Sequence, residues 1–265
     1  MLDYHVHSNF SADCETPMDR TIKKAIEIGL SEICFTDHID YDYPDESIVF
    51  EFNLLEYDDQ IRQMQAKYGN RINIKKGIEI GVEPYLLDRY EALMRKNRFD
   101  FIICSMHTSD RKDLHSGKFF EDKTINEAYA KYYEELLFCT KNFDSFSVLG
   151  HLDLVKRYKQ GSTRDFHELI TEIFKVIIPM GKGIELNTSG FRYGLNTGMP
   201  SEDILRLYYS LGGEIITIGS DSHREDTLAY EFNTAYNLLQ RVGFQYITSF
   251  EDNKPSFQRI ASLIR

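Results

Sequence analysis

The chain has 265 residues, of which 42% are hydrophobic and 28% are charged, and its formal net charge is -11. These values are ordinary for a globular protein with a sizeable core, and they exclude a disordered, collagenous or disulfide-stapled chain. The excess of 42 acidic over 31 basic residues argues against nucleic acid as a partner, because proteins that follow its backbone normally present a basic surface.

The cysteines and the apolar runs indicate the compartment. The four cysteines lie far apart without a CxxC pair, so we expect neither disulfides nor a thiolate zinc site. No apolar run approaches the roughly 20 residues of a membrane helix, and a strand pattern begins at Leu2 without a signal-like segment before it. The sequence therefore predicts a cytoplasmic protein without membrane contact, whereas the oligomeric state leaves no readable pattern.

Short apolar, β-branched runs alternate along the chain with amphipathic stretches. The predicted strands are 2–7, 32–37, 72–80, 99–106, 146–152, 183–187 and 214–219, with a possible eighth at 246–249. Thr16-Pro17 predicts one helix start, and Thr124 with Glu127 forms a capping-box pattern at another. The alternation predicts one α/β domain over residues 1–265, a closed parallel barrel related to the (β/α)8 type. A doubly wound open sheet is the alternative, although no glycine-rich fingerprint follows the first strand.

Six of the eight histidines, and three carboxylates, lie at or just after the carboxyl ends of predicted strands. In a parallel barrel these ends gather at one face, where active sites are built. We therefore expect the side chains to converge in space although they are distant in sequence. They are His5, His7, Asp13, His38, Glu79, His107, His151, Asp221 and His223.

His5 and His7 are two positions apart on a strand, so both side chains point to the same face. An isolated pair of this kind more often only packs or forms hydrogen bonds, but here further strand ends repeat the pattern. Imidazole and carboxylate ligands without thiolate suit zinc, manganese or iron. If one carboxylate bridges, the set suffices for three divalent ions. The net positive charge of such a site suits a phosphate monoester, because multi-metal sites activate water and clamp the reacting oxygens.

The motifs resemble those of the PHP (polymerase and histidinol phosphatase) family, in the same order and over nearly the whole chain. They are His5-x-His7, Ser11-x-Asp13, Thr36-Asp37-His38, Gly77-Ile78-Glu79, Ser105-x-His107, Gly150-His151 and Gly219-Ser220-Asp221-x-His223. The resemblance implies a distorted (β/α)7 TIM-like barrel with a trinuclear metal centre at the carboxyl ends of the strands.

The resemblance also implies three ligand sets, with Glu79 as the bridge between two of them. One ion would be held by His5, His7, Glu79 and Asp221. The second would be held by Glu79, His107 and His151, and the third by Asp13, His38 and His223.

Residues 151–157 and 185–192 resemble the group within the family that hydrolyses histidinol phosphate. In that group two arginines bind the substrate phosphate, and Arg157 and Arg192 occupy those positions. A planar guanidinium suits this role, although either arginine taken alone is more often a solvated surface residue. Asn187 is either a hydrogen-bond donor to the substrate or a plain turn residue. Asp40 and Asp42 belong either to a solvated acidic run or to a site that receives the substrate ammonium.

The implied function is metal-dependent hydrolysis of a small phosphate monoester, L-histidinol phosphate, in histidine biosynthesis. Asp221, His223 or a metal-bound water would supply the proton for the leaving alkoxide, and the sequence does not choose among them. One alternative is a PHP-type phosphoesterase that acts on nucleotides or nucleic-acid ends. The other is a non-catalytic, metal-binding regulatory domain.

Overall fold

A parallel sheet of seven main strands forms the centre of the computed structural model, which describes residues 1–264. The strands are β1 (Leu2–Val6), β2 (Glu32–Phe35), β4 (Asn73–Gly81), β5 (Phe101–Ser105), β8 (Val148–Leu149), β9 (Gly183–Asn187) and β10 (Ile216–Gly219), in that spatial order. A two-residue strand, β3 (His38–Ile39), also pairs with β4. It continues β2 in the same register, since Phe35 pairs with Lys76 and His38 with Glu79.

The first and last strands of this sheet meet and nearly close it into a barrel. Beyond the end of β10, Ser222 forms a parallel bridge with Val6. The His7 N–H donates to the Ser222 carbonyl at 2.9 Å, and the Ser222 N–H donates to the His5 carbonyl at 3.3 Å. The predicted distorted TIM-like barrel is therefore confirmed, and the doubly wound alternative is wrong because the two edges pair with each other.

Nine α-helices among residues 1–264 accompany these strands. They are α1 (Met18–Glu27), α2 (Leu54–Tyr68), α3 (Leu87–Lys96), α4 (Ile125–Asn142), α5 (Val155–Tyr158), α6 (His167–Ile177), α7 (Ser189–Arg192), α8 (Glu202–Ser210) and α9 (Phe232–Val242). Apolar residues of the longer helices, such as Ile22 and Tyr57, are buried in the same cores as strand residues. Within the described part of the chain, no helix has the length and apolar character to cross a membrane.

Residues 246–249 form a strand, β11 (Tyr246–Glu251), as the sequence suggested, but this strand is not part of the barrel, which has the seven main strands that the resemblance implies. β11 pairs antiparallel with β12 (Lys254–Arg259) in a separate two-stranded sheet. Asp252 and Asn253 form the turn with φ angles of 49° and 58°, the left-handed conformation that two-residue hairpin turns require. The chain therefore reverses onto its neighbour in sequence instead of joining β10.

Two connections, residues 39–53 and 108–123, are too long to be plain turns between strand and helix, and both have structure of their own. In the first, the Asp40 N–H donates to the Phe50 carbonyl at 3.0 Å, which folds the segment back on itself. In the second, β6 (Thr108–Ser109) and β7 (Lys112–Asp113) form a short antiparallel hairpin. Both segments follow carboxyl ends of barrel strands, so they border the face where the histidines converge.

The predicted capping box at the start of α4 is present. Thr124 Oγ1 accepts a hydrogen bond from the Glu127 N–H at 3.3 Å, and a Glu127 carboxylate oxygen accepts one from the Thr124 N–H at 2.8 Å. We expect Thr124→Ala to lower the free energy of unfolding by about 1 kcal/mol, because the Glu127 N–H loses its side-chain acceptor and the Glu127 carboxylate loses the bond from the threonine hydroxyl. Urea denaturation measures this, with Thr124→Ser as the control that keeps the hydroxyl. Equal stability of the alanine and serine variants would contradict the prediction.

Candidate metal centre and active-site cavity

The barrel brings all nine predicted ligand residues to one face. His5 and His7 come from the end of β1, Glu79 from β4, and His38 from β3. The imidazole ring of His7 stacks on those of His38 and His223, with centroids 4.3 and 4.1 Å apart. Residues far apart in sequence thus form one cluster, as the positions at the strand ends predicted.

Glu79 lies at the centre of this cluster and is wholly buried. Its Oε1 is 3.0 Å from His151 Nε2 and 3.2 Å from His107 Nε2. Its Oε2 is 3.0 Å from His5 Nε2 and 3.1 Å from His38 Nδ1. Because its two oxygens face different pairs of imidazoles, this carboxylate has the geometry to bridge two ions.

The other two carboxylates of the cluster each face a histidine pair. Asp221 Oδ1 lies 3.4 Å from His7 Nε2 and 3.8 Å from His5 Nε2. Asp13 Oδ2 lies 3.1 Å from His223 Nε2 and 3.8 Å from His38 Nε2.

Potential ligand atoms lie within 4.8 Å of one another in four groups of three among residues 1–264. They are His5–His7–Asp221, His5–Glu79–His151, His38–Glu79–His107 and His7–His38–His223. These groups place His38 beside both Glu79 and His223, and its Nε2 also lies 3.8 Å from Asp13. The resemblance assigns His38 to the set with Asp13 and His223.

Two properties of the cluster fit a metal-binding site. His7 Nε2 and His38 Nδ1 are buried and make no well-aligned hydrogen bond, although carboxylate oxygens of Asp221 and Glu79 lie 3.4 and 3.1 Å away. This arrangement is costly unless an ion takes the lone pair. Burial, together with the neighbouring His223 and His38, lowers the pKa of His7 well below its usual range, so its imidazole is neutral. Burial raises the pKa of Glu79, but the charges of His5, His38 and His107 outweigh it and lower this pKa well below its usual range. Neutral His7 and ionised Glu79 are thus in the forms that bind metal. Burial lowers the pKa of His5, His107 and His223, but the neighbouring carboxylates outweigh it and raise this pKa, so metal binding at these three would release protons.

Two further buried carboxylates orient histidines of the cluster. Glu185 Oε1 lies 2.7 Å from His5 Nδ1, and Asp40 Oδ2 lies 2.6 Å from His107 Nδ1. A carboxylate on the second ring nitrogen fixes the tautomer and orientation of a ligating imidazole. Sequence reasoning missed Glu185, although its position two residues before Asn187 on β9 puts both side chains on the same face.

The contact between Asp40 and His107 leads to a prediction for the histidine's orientation. We expect Asp40→Asn to lower metal affinity or kcat/KM by about 10- to 100-fold, because the amide holds the imidazole less well. Metal titration and steady-state kinetics measure the two effects. The control is Asp45→Asn, which removes an exposed carboxylate of the same segment. Wild-type values for both quantities in Asp40→Asn would contradict the role.

Two glycines of the motifs allow the close packing beside the cluster. A Cβ atom on Gly219 would overlap the Glu185 carboxylate and the Cβ of His5. A Cβ atom on Gly150 would overlap Ser105 Oγ. Any larger residue would push these side chains away from their partners, so the glycines have a steric role.

A cavity of about 520 Å³ opens onto the cluster, and both predicted phosphate-binding arginines line it. Arg192 donates from its two terminal nitrogens to the carbonyls of Ser220 at 2.7 Å and Asp221 at 2.9 Å. Arg157 Nη1 lies 3.4 Å from Asp221 Oδ2, and its guanidinium stacks 3.3 Å from the centroid of the Tyr193 ring. Both guanidinium groups thus lie next to a member of the cluster.

Two other predicted substrate-binding residues lie elsewhere. Asn187 is fully buried, donates to Glu185 Oε2 at 3.1 Å and accepts from the Ser189 N–H at 2.9 Å. Its amide therefore supports the residues behind the cluster and does not line the cavity. Asp42 is half-exposed, pairs with Arg89 at 2.6 Å and is also absent from the cavity wall. Asp40 does line the cavity, but it is buried beside His107 and is not part of a solvated run.

Sequence reasoning missed much of the rest of the cavity wall. The missed residues include Tyr43, Phe50, Asp113, His115, Tyr158 and Tyr193. They lie on the long loops or on short helical turns after the strands, where no periodicity indicates direction. The aromatic rings and the Asp113 carboxylate give this part of the wall a mixed apolar and anionic character.

The fold and the site together define this chain as a parallel α/β barrel with a candidate metal centre of histidines and carboxylates at the carboxyl ends of its strands. The PHP domain family matches residues 3–189, and the chain belongs to this family. It is 33% identical to a histidinol-phosphatase of Lactococcus lactis over 259 residues, 96% of this chain and 95% of that protein. It is 29% identical to a probable histidinol-phosphatase of Thermotoga maritima, over 93% of this chain and 94% of that one.

A solved structure agrees with these relatives. The crystal structure of histidinol phosphate phosphatase from Lactococcus lactis, complexed with zinc, L-histidinol and phosphate, superposes with a TM-score of 0.88. The sequences are 33% identical, and the match covers 96% of this chain and 98% of that one. This protein is therefore similar to the Lactococcus lactis enzyme in both sequence and fold along nearly its whole length.

Proposed function

We propose that this protein is a histidinol-phosphate phosphatase, which hydrolyses L-histidinol phosphate to L-histidinol and phosphate. The similarity to the Lactococcus lactis enzyme over 96% of the chain carries this conclusion, since the crystal structure of that enzyme contains L-histidinol and phosphate. The site is consistent with it, because the histidine cluster and two arginines border one cavity of substrate size.

We further propose that the cluster holds three divalent ions of zinc, manganese or iron, with Glu79 shared between two of them. The division of the Glu79 oxygens between two imidazole pairs and the four overlapping ligand groups support this number. When bound, such ions activate water and neutralise charge on phosphoryl oxygens. Metal analysis of protein saturated with metal should find three ions per chain, and a stoichiometry of one or two would overturn the trinuclear proposal.

Phosphate binding, proton delivery and orientation of the imidazoles are assigned to residues of the chain. Arg157 and Arg192 bind phosphoryl oxygens and stabilise the charge that develops there in the transition state. Asp221 and His223 also line the cavity, close to these arginines. We propose that one of these two, or water, delivers the proton to the leaving alkoxide. Glu185 and Asp40 hold the imidazoles of His5 and His107 in place.

The cysteines and the relatives bear on compartment and domain organisation. All four cysteines lie among the described residues and are free, which supports the proposal of a reducing, cytoplasmic environment. The Lactococcus lactis relative matches along 95% of its own length, which supports one domain over residues 1–265.

Phosphate release from L-histidinol phosphate by metal-analysed protein tests the function. A kcat/KM above about 10⁴ M⁻¹s⁻¹, far exceeding that for an aryl phosphate, is the expected result. Comparable weak rates on every ester would contradict the substrate assignment. Hydrolysis of a short single-stranded oligonucleotide at catalytic rates would instead favour the nucleic-acid alternative, and inertness toward all esters at full metal loading would favour the regulatory one.

A further inference from the structure

Asp113 is a carboxylate in the cavity wall that no cation neutralises. It lies on β7, its residue is only 5% exposed, and it lines the cavity with the arginines. Its hydrogen-bond partners are neutral, and no lysine, arginine or histidine within residues 1–264 forms an ion pair with it. A buried charge without a counter-ion is costly. A cationic group on a bound ligand would neutralise the charge of Asp113.

The hydrogen bonds of Asp113 hold the carboxylate in place and keep it ionised. Oδ1 accepts from the Tyr43 hydroxyl and the His115 N–H, both at 2.8 Å, and Oδ2 accepts from the Ser116 N–H at 2.6 Å. Burial raises its pKa, but hydrogen bonds from Ser116 and Tyr43 outweigh it and lower the pKa below the usual value. All of these donors are neutral, so the negative charge of the carboxylate is held in a fixed position but is not balanced by a cation.

The surroundings of Asp113 relate it to the phosphate-binding side of the cavity. Tyr158, which follows Arg157 in sequence, meets the His115 ring edge-on with centroids 5.8 Å apart. All of these residues line the same cavity, which therefore contains both guanidinium groups and a carboxylate. The other carboxylate outside the ligand sets, Asp40, is already engaged by His107 at 2.6 Å.

We propose that Asp113 binds the ammonium group of the substrate and so selects amino-bearing phosphate esters. This inference rests on the proposed function, because L-histidinol phosphate carries an ammonium group beside its phosphate-bearing carbon. Arg157 and Arg192 hold the anionic end of the molecule while Asp113 receives the cationic group. Tyr43 and Ser116 are then positioning residues, which aim the carboxylate.

The test compares L-histidinol phosphate with its deamino analogue, imidazolylpropyl phosphate, in three proteins. Wild type should prefer the amino substrate by at least about tenfold in kcat/KM, the scale of a charge-assisted hydrogen bond. In Asp113→Asn this preference should fall to within about threefold, because the analogue makes no use of the charge. The control is Asp122→Asn, which removes an exposed carboxylate of the same segment and should leave the preference unchanged.

The ratio of the two substrates separates recognition from structural damage. A variant that distorts the loop lowers both rates alike, so an unchanged preference in Asp113→Asn would overturn the proposal. Equal use of both esters by wild type would overturn it too, whereas no preference for either over an aryl phosphate would overturn the proposed function instead. If Asp113→Asn does not fold, Asp113→Glu keeps the charge but moves it by one methylene, and an undiminished preference there would contradict the assignment.

Discussion

Glu79→Gln should lower kcat/KM by at least about 10³-fold and reduce the amount of bound metal at the same time. This effect is larger than the 10- to 100-fold loss expected when a residue that only orients a ligating histidine is replaced. The substitution keeps the shape of the side chain but replaces one oxygen with an NH₂ group. Since Oε1 faces His107 and His151 while Oε2 faces His5 and His38, either orientation of the amide presents a donor to one imidazole pair. An ion there loses both a ligand and a compensating negative charge.

A matched control for Glu79 lies at the opposite end of the barrel. Glu32 is also buried on a strand, where it accepts hydrogen bonds from Tyr4 and from Asn73. Glu32→Gln removes a buried charge without approaching the cluster, so we expect wild-type metal content and kcat. Full metal stoichiometry in Glu79→Gln would disprove the bridging role, even if activity were lost.

Arg157→Ala should lower kcat/KM for L-histidinol phosphate by about 10²- to 10³-fold, the scale for one donor that stabilises transition-state charge. The guanidinium lies 3.4 Å from Asp221 and stacks on Tyr193, so it is held in place before the substrate binds. Arg157→Lys keeps the charge without the planar pair of donors, and we expect it to recover only part of the loss. Inhibition by inorganic phosphate should weaken in parallel.

The comparison for Arg157 is Arg206→Ala, which removes an exposed arginine paired with Glu202 on α8. Its kinetics should match wild type, because a surface ion pair contributes little. If Arg157→Ala lost activity but bound inorganic phosphate as wild type does, phosphate binding would have to be assigned to other residues.

Much of the barrel was predictable because strand and helix periodicities are local properties of the chain. The runs at 183–187 and 32–37 correspond to β9 and to β2 with the residues that follow it, and the capping box at Thr124 is present. The strand at 246–249 is also present, but the sequence left open whether it joins the barrel, because a strand pattern does not reveal its partner. Asp252 and Asn253 have left-handed conformations and form a tight turn, so β11 pairs with β12 and not with a barrel strand.

The sequence by itself determined which residues form the cluster. Parallel strands have a common direction, so histidines and carboxylates at their carboxyl ends meet wherever the barrel closes. The tertiary structure alone decided what the neighbouring polar residues do. Asp40 orients His107, Asn187 supports Glu185, and Asp113 faces the cavity without a cation. These residues were placed by loop conformation and by packing between strands, which are set by contacts across the fold and leave no periodic pattern in the chain.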